Sequence, residues 1–281
     1  MPIPPGNDAK VVRVPSGKDL FVDVENKAGD HAPAIVFMHG LGSSTSYWQA
    51  ALSDTRLSSS FRLIRYDFDG HGLSPVSELD AADDAGMLSI EDLVEDLGAV
   101  LRWAGVERVK ALVGHSMSGL VASTFAARYP DKVEKLVLVG AMRSLNPELQ
   151  KNMLKRAHTV MDRGVSSIVD QVVSAALSDK SKAESPLSGA LVRALVLGTK
   201  PEGYAAACRA LASASDPEYG RIEAETLVVA GEFDYLSDAE TTSQLCEQIP
   251  RARRVQMDRV GHWHAVEDPV GLRRVLEEFL L

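Results

Sequence analysis

Cysteine is nearly absent: Cys208 and Cys246 are the only two in 281 residues. That leaves no disulfide framework, no CxxC redox pair and no thiolate zinc site, and two reduced, buried thiols are expected. Positive charge is also scarce. Lys and Arg number 30 against 39 Asp and Glu, a formal net charge of −9, whereas a nucleic-acid or anionic-membrane partner would want a basic face. No apolar run approaches the roughly 18 residues of a spanning helix, and the opening MPIPPGNDAK lacks the apolar stretch of a secretory signal. The expectation is a cytoplasmic chain with neither nucleic acid nor membrane as partner, its oligomeric state open. What remains is ordinary globular composition, 45% hydrophobic and 25% charged, which excludes disorder, collagen and coiled coil. The length suits one large α/β domain that buries about three quarters of its unfolded surface.

Short apolar runs alternate with amphipathic stretches. Strands are expected at 11–14, 20–24, 35–38, 62–66, 109–113, 133–139, 226–230 and 254–257, and helices at 90–103, 117–129, 239–248 and 270–280. The central runs AIVFM, KALVG, EKLVLVG and TLVVAG are continuously apolar, as strands covered on both faces must be. This alternation implies a mostly parallel, doubly wound sheet of about eight strands. The first two runs, joined by PSGKD, read as an antiparallel hairpin at one edge. Between 143 and 221 strand-like runs vanish and helical spacings take over (Ile168, Val169, Val172, Val173, Ala176, Leu177), divided by a polar break, SDKSKAESP. The chain is therefore expected to form a core from 1–142 and 222–281, with 143–221 inserted after the sixth strand as a helical lid over the strand ends. Open α/β sheets place their sites there.

The strongest chemical signal is Gly114-His115-Ser116-Met117-Ser118-Gly119, between the strand VKALVG and an Ala-rich helix. A serine on a sharp strand-to-helix turn is a nucleophile elbow, which needs small neighbours because its backbone is strained. Gly114 meets that need, but Ser118 stands where a second glycine is usual. The alternative is a solvated Ser-Gly loop, and the flanking elements favour the elbow. The new helix also points its positive end at Ser116. After such an elbow the acid and then the histidine follow in chain order. Of seven histidines only His262 and His264 lie late enough, in GHWHA; Gly261 favours His262, with His264 as fallback. The acid should follow TLVVAG, and Asp234 is the best placed. Asp238 suits a helix cap, and Glu232 is a weaker rival. Glycines directly after AIVFM, in His39-Gly40-Leu41-Gly42, suit an oxyanion hole of backbone N–H groups, assigned to Leu41 and Met117.

Four segments, HGLGSS, YDFDGHGLS, GHSMSG and GHWHAVEDP, resemble the signatures of the α/β-hydrolases across essentially the whole chain. In the last, Glu267 and Pro269 keep the spacing from His262 usual in that family. DGHGLSPVSE, IEDLVEDLGAVL, GYAAACRAL and TLVVAGEFD resemble 3-oxoadipate enol-lactonases and related lactonases and esterases. The resemblance implies an α/β-hydrolase fold and hydrolysis of a carboxylic ester or lactone of a small molecule through an acyl-enzyme, with Ser116, Asp234 and His262 as triad. The enol-lactonases usually carry glycine at the position of Ser118. A carboxylate substrate would want a cation, for which Arg143 is the candidate. Leu41, Met142, Arg143 and Trp263 are the substrate-binding candidates, with Met153 and Met161 as further lid-side residues or core packing. His71 and Asp67 resemble a structural turn rather than metal ligands, so neither metal nor cofactor is expected. Carbon–carbon bond hydrolases, cofactor-free perhydrolases and slow-turnover hydrolase-fold receptors share the triad and stay open. Dehalogenases and epoxide hydrolases need an aspartate where Ser116 stands.

Overall fold

The computed structural model describes residues 6–77 and 88–281. The first five residues of the opening segment and Glu78 of DGHGLSPVSE lie outside the described residues. The chain runs β1 (Gly6–Arg13), β2 (Asp19–Asn26), β3 (Ala34–Met38), α1 (Gln49–Leu52), β4 (Arg62–Tyr66), α2 (Ile90–Trp103), β5 (Val109–His115), α3 (Met117–Arg128) and β6 (Val133–Val139). Then come α4 (Pro147–Arg163), α5 (Val169–Ala176), α6 (Asp179–Glu184), α7 (Pro186–Leu197) and α8 (Pro201–Ala212). It closes with β7 (Glu225–Gly231), α9 (Ala239–Gln248), β8 (Ala252–Met257), α10 (His264–Glu267) and α11 (Pro269–Leu280).

The eight strands form one sheet in the order β1-β2-β4-β3-β5-β6-β7-β8. Only β1·β2 and β2·β4 pair antiparallel; the other pairs are parallel. Residues of β3 and β4 are all buried, and β5 and β6 nearly so, because helices cover both faces of a parallel sheet. Two apolar clusters result, one on each face. Val36, Leu112, Leu136 and Val228 point into the first, and Phe37, Val113, Val137 and Val229 into the second, as the two-residue period of a strand requires. Chain order reverses between β3 and β5, and at such a switch point the strand ends part into a crevice.

The edges depart from expectation because their residues need satisfy only one neighbour. The hairpin is longer than its apolar stretch, pairing from Gly6↔Asn26 to Arg13↔Asp19. β8 begins two residues early and is largely exposed. The polar run SDKSKAESP is not a break but a short helix, α6, capped by Ser178, whose Oγ accepts from Ser181 N. Cys208 is buried, whereas Cys246 is only half-buried; both are free. No helix among the described residues is long and apolar enough to cross a membrane.

Candidate active site

Ser116 occupies the tip between β5 and α3 with φ 56° and ψ −120°. This is a left-handed conformation that a residue with a side chain adopts only under local compulsion. Close packing supplies it. A Cβ on Gly114 would lie 2.4 Å from the Ser118 carbonyl oxygen, and one on Gly40 would lie 2.9 Å from the Ser116 Cβ. Ser118 is fully buried, and its hydroxyl donates to the His39 carbonyl. The departure from the two-glycine pattern therefore adds a tie between α3 and the loop that follows β3.

The loop after β8 brings His262 to this serine. His262 Nε2 stands 2.9 Å from Ser116 Oγ, and His262 Nδ1 stands 2.9 and 3.0 Å from the Asp234 carboxylate oxygens. Asp234 Oδ1 also accepts from Leu236 N at 3.0 Å and Ser237 N at 2.9 Å. Burial alone would raise the Asp234 pKa, but the facing imidazole and these donors outweigh it and hold the carboxyl at about 2. An anion facing Nδ1 fixes the tautomer with its proton there and leaves Nε2 free to accept from the hydroxyl. All three side chains are buried, Ser116 at 8% and His262 at 5% exposure.

The backbone of His262 is held from two sides. Its carbonyl faces His115 Nε2 at 2.8 Å and His264 Nδ1 at 3.0 Å. Because a carbonyl only accepts, both rings donate. Burial drives both histidines below their ordinary pKa, so they are neutral. His264, the fallback base, is a brace. Asp238 caps α9 by accepting from Thr241 N at 2.8 Å, and Glu232 accepts from Arg259 N at 2.7 Å at the surface.

The turn after β3 and the DGHG turn are laced together. His39 donates from Nδ1 to Gly40 O (2.8 Å) and accepts at Nε2 from Phe68 N (3.0 Å); His71 donates from Nδ1 to Asp69 O (3.0 Å) and accepts from Gly42 N (3.3 Å). Burial lowers His39 to about 4 and His71 to about 3. Asp67 accepts from Thr45 N and Leu73 N. Among the described residues neither Leu41 N nor Met117 N donates to a protein group. Leu41 sits beside Gly40, and Met117 opens α3 directly after Ser116.

The residues expected to bind substrate have varied surroundings. The Arg143 guanidinium is engaged by Asp216 at 2.7 Å, by Gln244 and Gln248, and by the face of Tyr219. Its donors are committed to a structural ion pair. Trp263 is buried at 3% exposure and packs edge-on against Tyr47 and near His115; it belongs to the core behind His262. Met161 is half exposed. Met142 and Met153 are half-buried against the core, as is Leu41. Sequence reasoning missed Tyr204, whose ring lies against Gly42, and the Ala176 carbonyl, which accepts from His262 N at 2.8 Å. Both come from the 143–221 segment, and no local pattern announces contacts of that kind.

Known proteins resemble the chain along most of its length. Residues 29–267 match the family described as serine aminopeptidase, S33. The putative carbamate hydrolase RutD of Pseudomonas savastanoi pv. phaseolicola is 27% identical over 264 residues, 93% of this chain and 98% of that protein. The 3-oxoadipate enol-lactonase 1 of Acinetobacter baylyi is 27% identical over 266 residues, 94% of each chain. The crystal structure of the enol-lactonase from Burkholderia xenovorans LB400 superposes with a TM-score of 0.86 at 27% identity, covering 96% of this chain and 99% of that one.

Proposed function

Because the chain belongs to the serine aminopeptidase S33 family, a family of α/β-hydrolases, we propose that it cleaves the carboxylic ester or lactone of a small molecule, with Ser116 as nucleophile. The observation that carries this reading is the 2.9 Å contact between Ser116 Oγ and His262 Nε2, backed by the carboxylate of Asp234.

His262 Nε2 takes the Ser116 proton as Oγ attacks the carbonyl carbon. Asp234 stabilises the imidazolium without taking the proton itself. The carbonyl oxygen becomes an oxyanion and is received by the N–H groups of Leu41 and Met117, the second of them also the first residue of a helix whose dipole favours negative charge. Collapse expels the alcohol, which carries away the proton from His262, and leaves an acyl-Ser116. Water, deprotonated by His262, then adds to the acyl carbon, and collapse returns the proton to Oγ and releases the acid. In a lactone the alcohol and the acid are ends of one product. Helices α4 to α8 act as the lid, with Leu41, Met142 and Met153 as apolar walls.

Similarity to a putative carbamate hydrolase supports a second reading, since a carbamate offers the same carbonyl carbon to the same nucleophile. A hydrolysis panel of enol-lactones, other lactones, short-chain esters and carbamates separates the two. The expected result is turnover of a lactone or ester above any carbamate, with a fluorophosphonate adding mass at Ser116. Turnover of carbamates alone would transfer the assignment to that class, and no labelling of Ser116 would remove the nucleophile.

A further inference from the structure

The carboxylate of Glu267 is a hub. Its Oε1 accepts from Trp263 N at 3.0 Å, and its Oε2 accepts from Gly261 N at 3.1 Å, Ser178 N at 2.9 Å and Ser181 Oγ at 2.8 Å. Gly261 and Trp263 are the two neighbours of His262, while Ser178 and Ser181 form the start of α6. The amide between those neighbours, His262 N, donates to Ala176 O at the end of α5. Three consecutive backbone N–H groups around the base thus end on Glu267 or on the helical insertion. The fit is tight: a Cβ on Gly261 would lie 2.7 Å from Ser178 N, 2.9 Å from Ala176 O and 2.9 Å from Glu267 Oε1.

We propose that Glu267 is a positioning residue that sets the backbone of His262 and binds it to residues 176–181, so that seating the α5–α6 turn and aligning Nε2 on Ser116 are one event. The proposal rests on the hydrolase reading above. Its chemistry is specific to a carboxylate. Two oxygens supply about four acceptor sites and no donor, and four donors point at them. A glutamine would offer one oxygen and turn its amide hydrogens towards a backbone N–H. The consequence is geometric, because a nucleophile–base pair displaced by about 1 Å can lose on the order of 10²-fold in rate. It also restricts how substrate enters: the α5–α6 turn cannot lift without releasing the base.

The test compares Glu267→Gln and Ser181→Ala with the wild type, each normalised to sites titrated by a fluorophosphonate. In Glu267→Gln kcat should fall on the order of 10²-fold with KM nearly unchanged. Ser181→Ala keeps the carboxylate and loses one donor on the insertion side, so it should fold normally and lose kcat several-fold. A role confined to stability predicts a lower Tm and fewer titratable sites, but wild-type kcat per site; that result overturns the proposal. Proton NMR of the His262 Nδ1–H facing Asp234 gives a readout independent of turnover. Its low-field resonance should shift or broaden in both variants, and an unchanged resonance in both also overturns the proposal. A wild type that hydrolyses nothing would sink the hydrolase reading instead, and the resonance would still decide the role of Glu267.

Discussion

The loops that present Leu41 and Ser116 are tied to the sheet, whereas the loop that presents His262 is tied half to the sheet and half to the helical insertion. On the first side, the side chains of His39, His71, Asp67 and Ser118 hydrogen-bond within the core, and the insertion adds Tyr204 against Gly42 and Lys200 N, which donates to Gly70 O. On the second, His115 and His264 hold the carbonyl of His262 from the core, while Ala176 takes its amide, and Glu267 gathers the flanking amides together with Ser178 and Ser181. The proposed nucleophile and oxyanion donors thus draw their side-chain hydrogen bonds from the core, while the amides around the proposed base end in part on the insertion. Catalytic geometry of this kind is most sensitive where it depends on a segment that can move.

Substitutions break this comparison at different depths. Ser116→Ala removes the nucleophile and should lower kcat on the order of 10⁶-fold, read against a fluorogenic ester in protein shown to be folded by circular dichroism; residual activity near wild type would dismiss the serine. Asp234→Asn leaves the shape of the pair but turns a donor or a neutral oxygen towards Nδ1, and its expected cost is about 10⁴-fold in kcat. A loss below about tenfold would mean that the carboxylate merely packs.

Acid tests the buried histidines of both sides, since burial also drives His115 and His264 below their ordinary pKa. Burial keeps His39 and His71 neutral in the fold, at about 4 and about 3, against an ordinary value near 6.5. The unfolded chain takes up these protons below about pH 6.5, and the folded chain resists them until about pH 4. Stability therefore falls as pH drops through that window, by up to about 1.4 kcal/mol per pH unit for each histidine. Urea midpoints measured at about pH 8, 6.5 and 5 should be level between the first two and lower at the third. A midpoint at pH 5 equal to that at pH 8 would mean that the rings charge without cost. The smallest effect belongs to Ser118→Gly, which removes one buried tie between α3 and the loop of Leu41. It should lower stability by about 1 kcal/mol and weaken binding of a boronic-acid transition-state analogue more than that of the product acid; equal weakening of both would show that the tie does not serve the oxyanion side.

Much of this architecture was legible in the residues, and the reasons are local. Ser116 sits in a strand–turn–helix passage whose parts are contiguous, Asp234 follows the apolar run of β7, and His262, after the polar and largely exposed β8, is reached by chain order and elimination. The fold class follows from the same runs. What could not be read depends on distant partners. Arg143 resembles a free cation until Asp216, 73 positions on, closes on it. Trp263 adjoins the base in sequence yet turns into the ring cluster of Tyr47 and His115. The polar stretch at the start of α6 looks like a break because its partner, Glu267, is supplied 86 and 89 positions later. The family resemblance marks Glu267 by its spacing from His262, and only the fold shows what its oxygens accept.

Quenched-flow peptide mass spectrometry on a slow ester tests the central claim most directly. The account predicts one acyl group per active site, carried by the peptide that holds Ser116, formed before steady-state release and absent from Ser116→Ala. Steady turnover in which no acylated peptide accumulates under rate-limiting deacylation, or one in which the acyl group sits elsewhere, would contradict it.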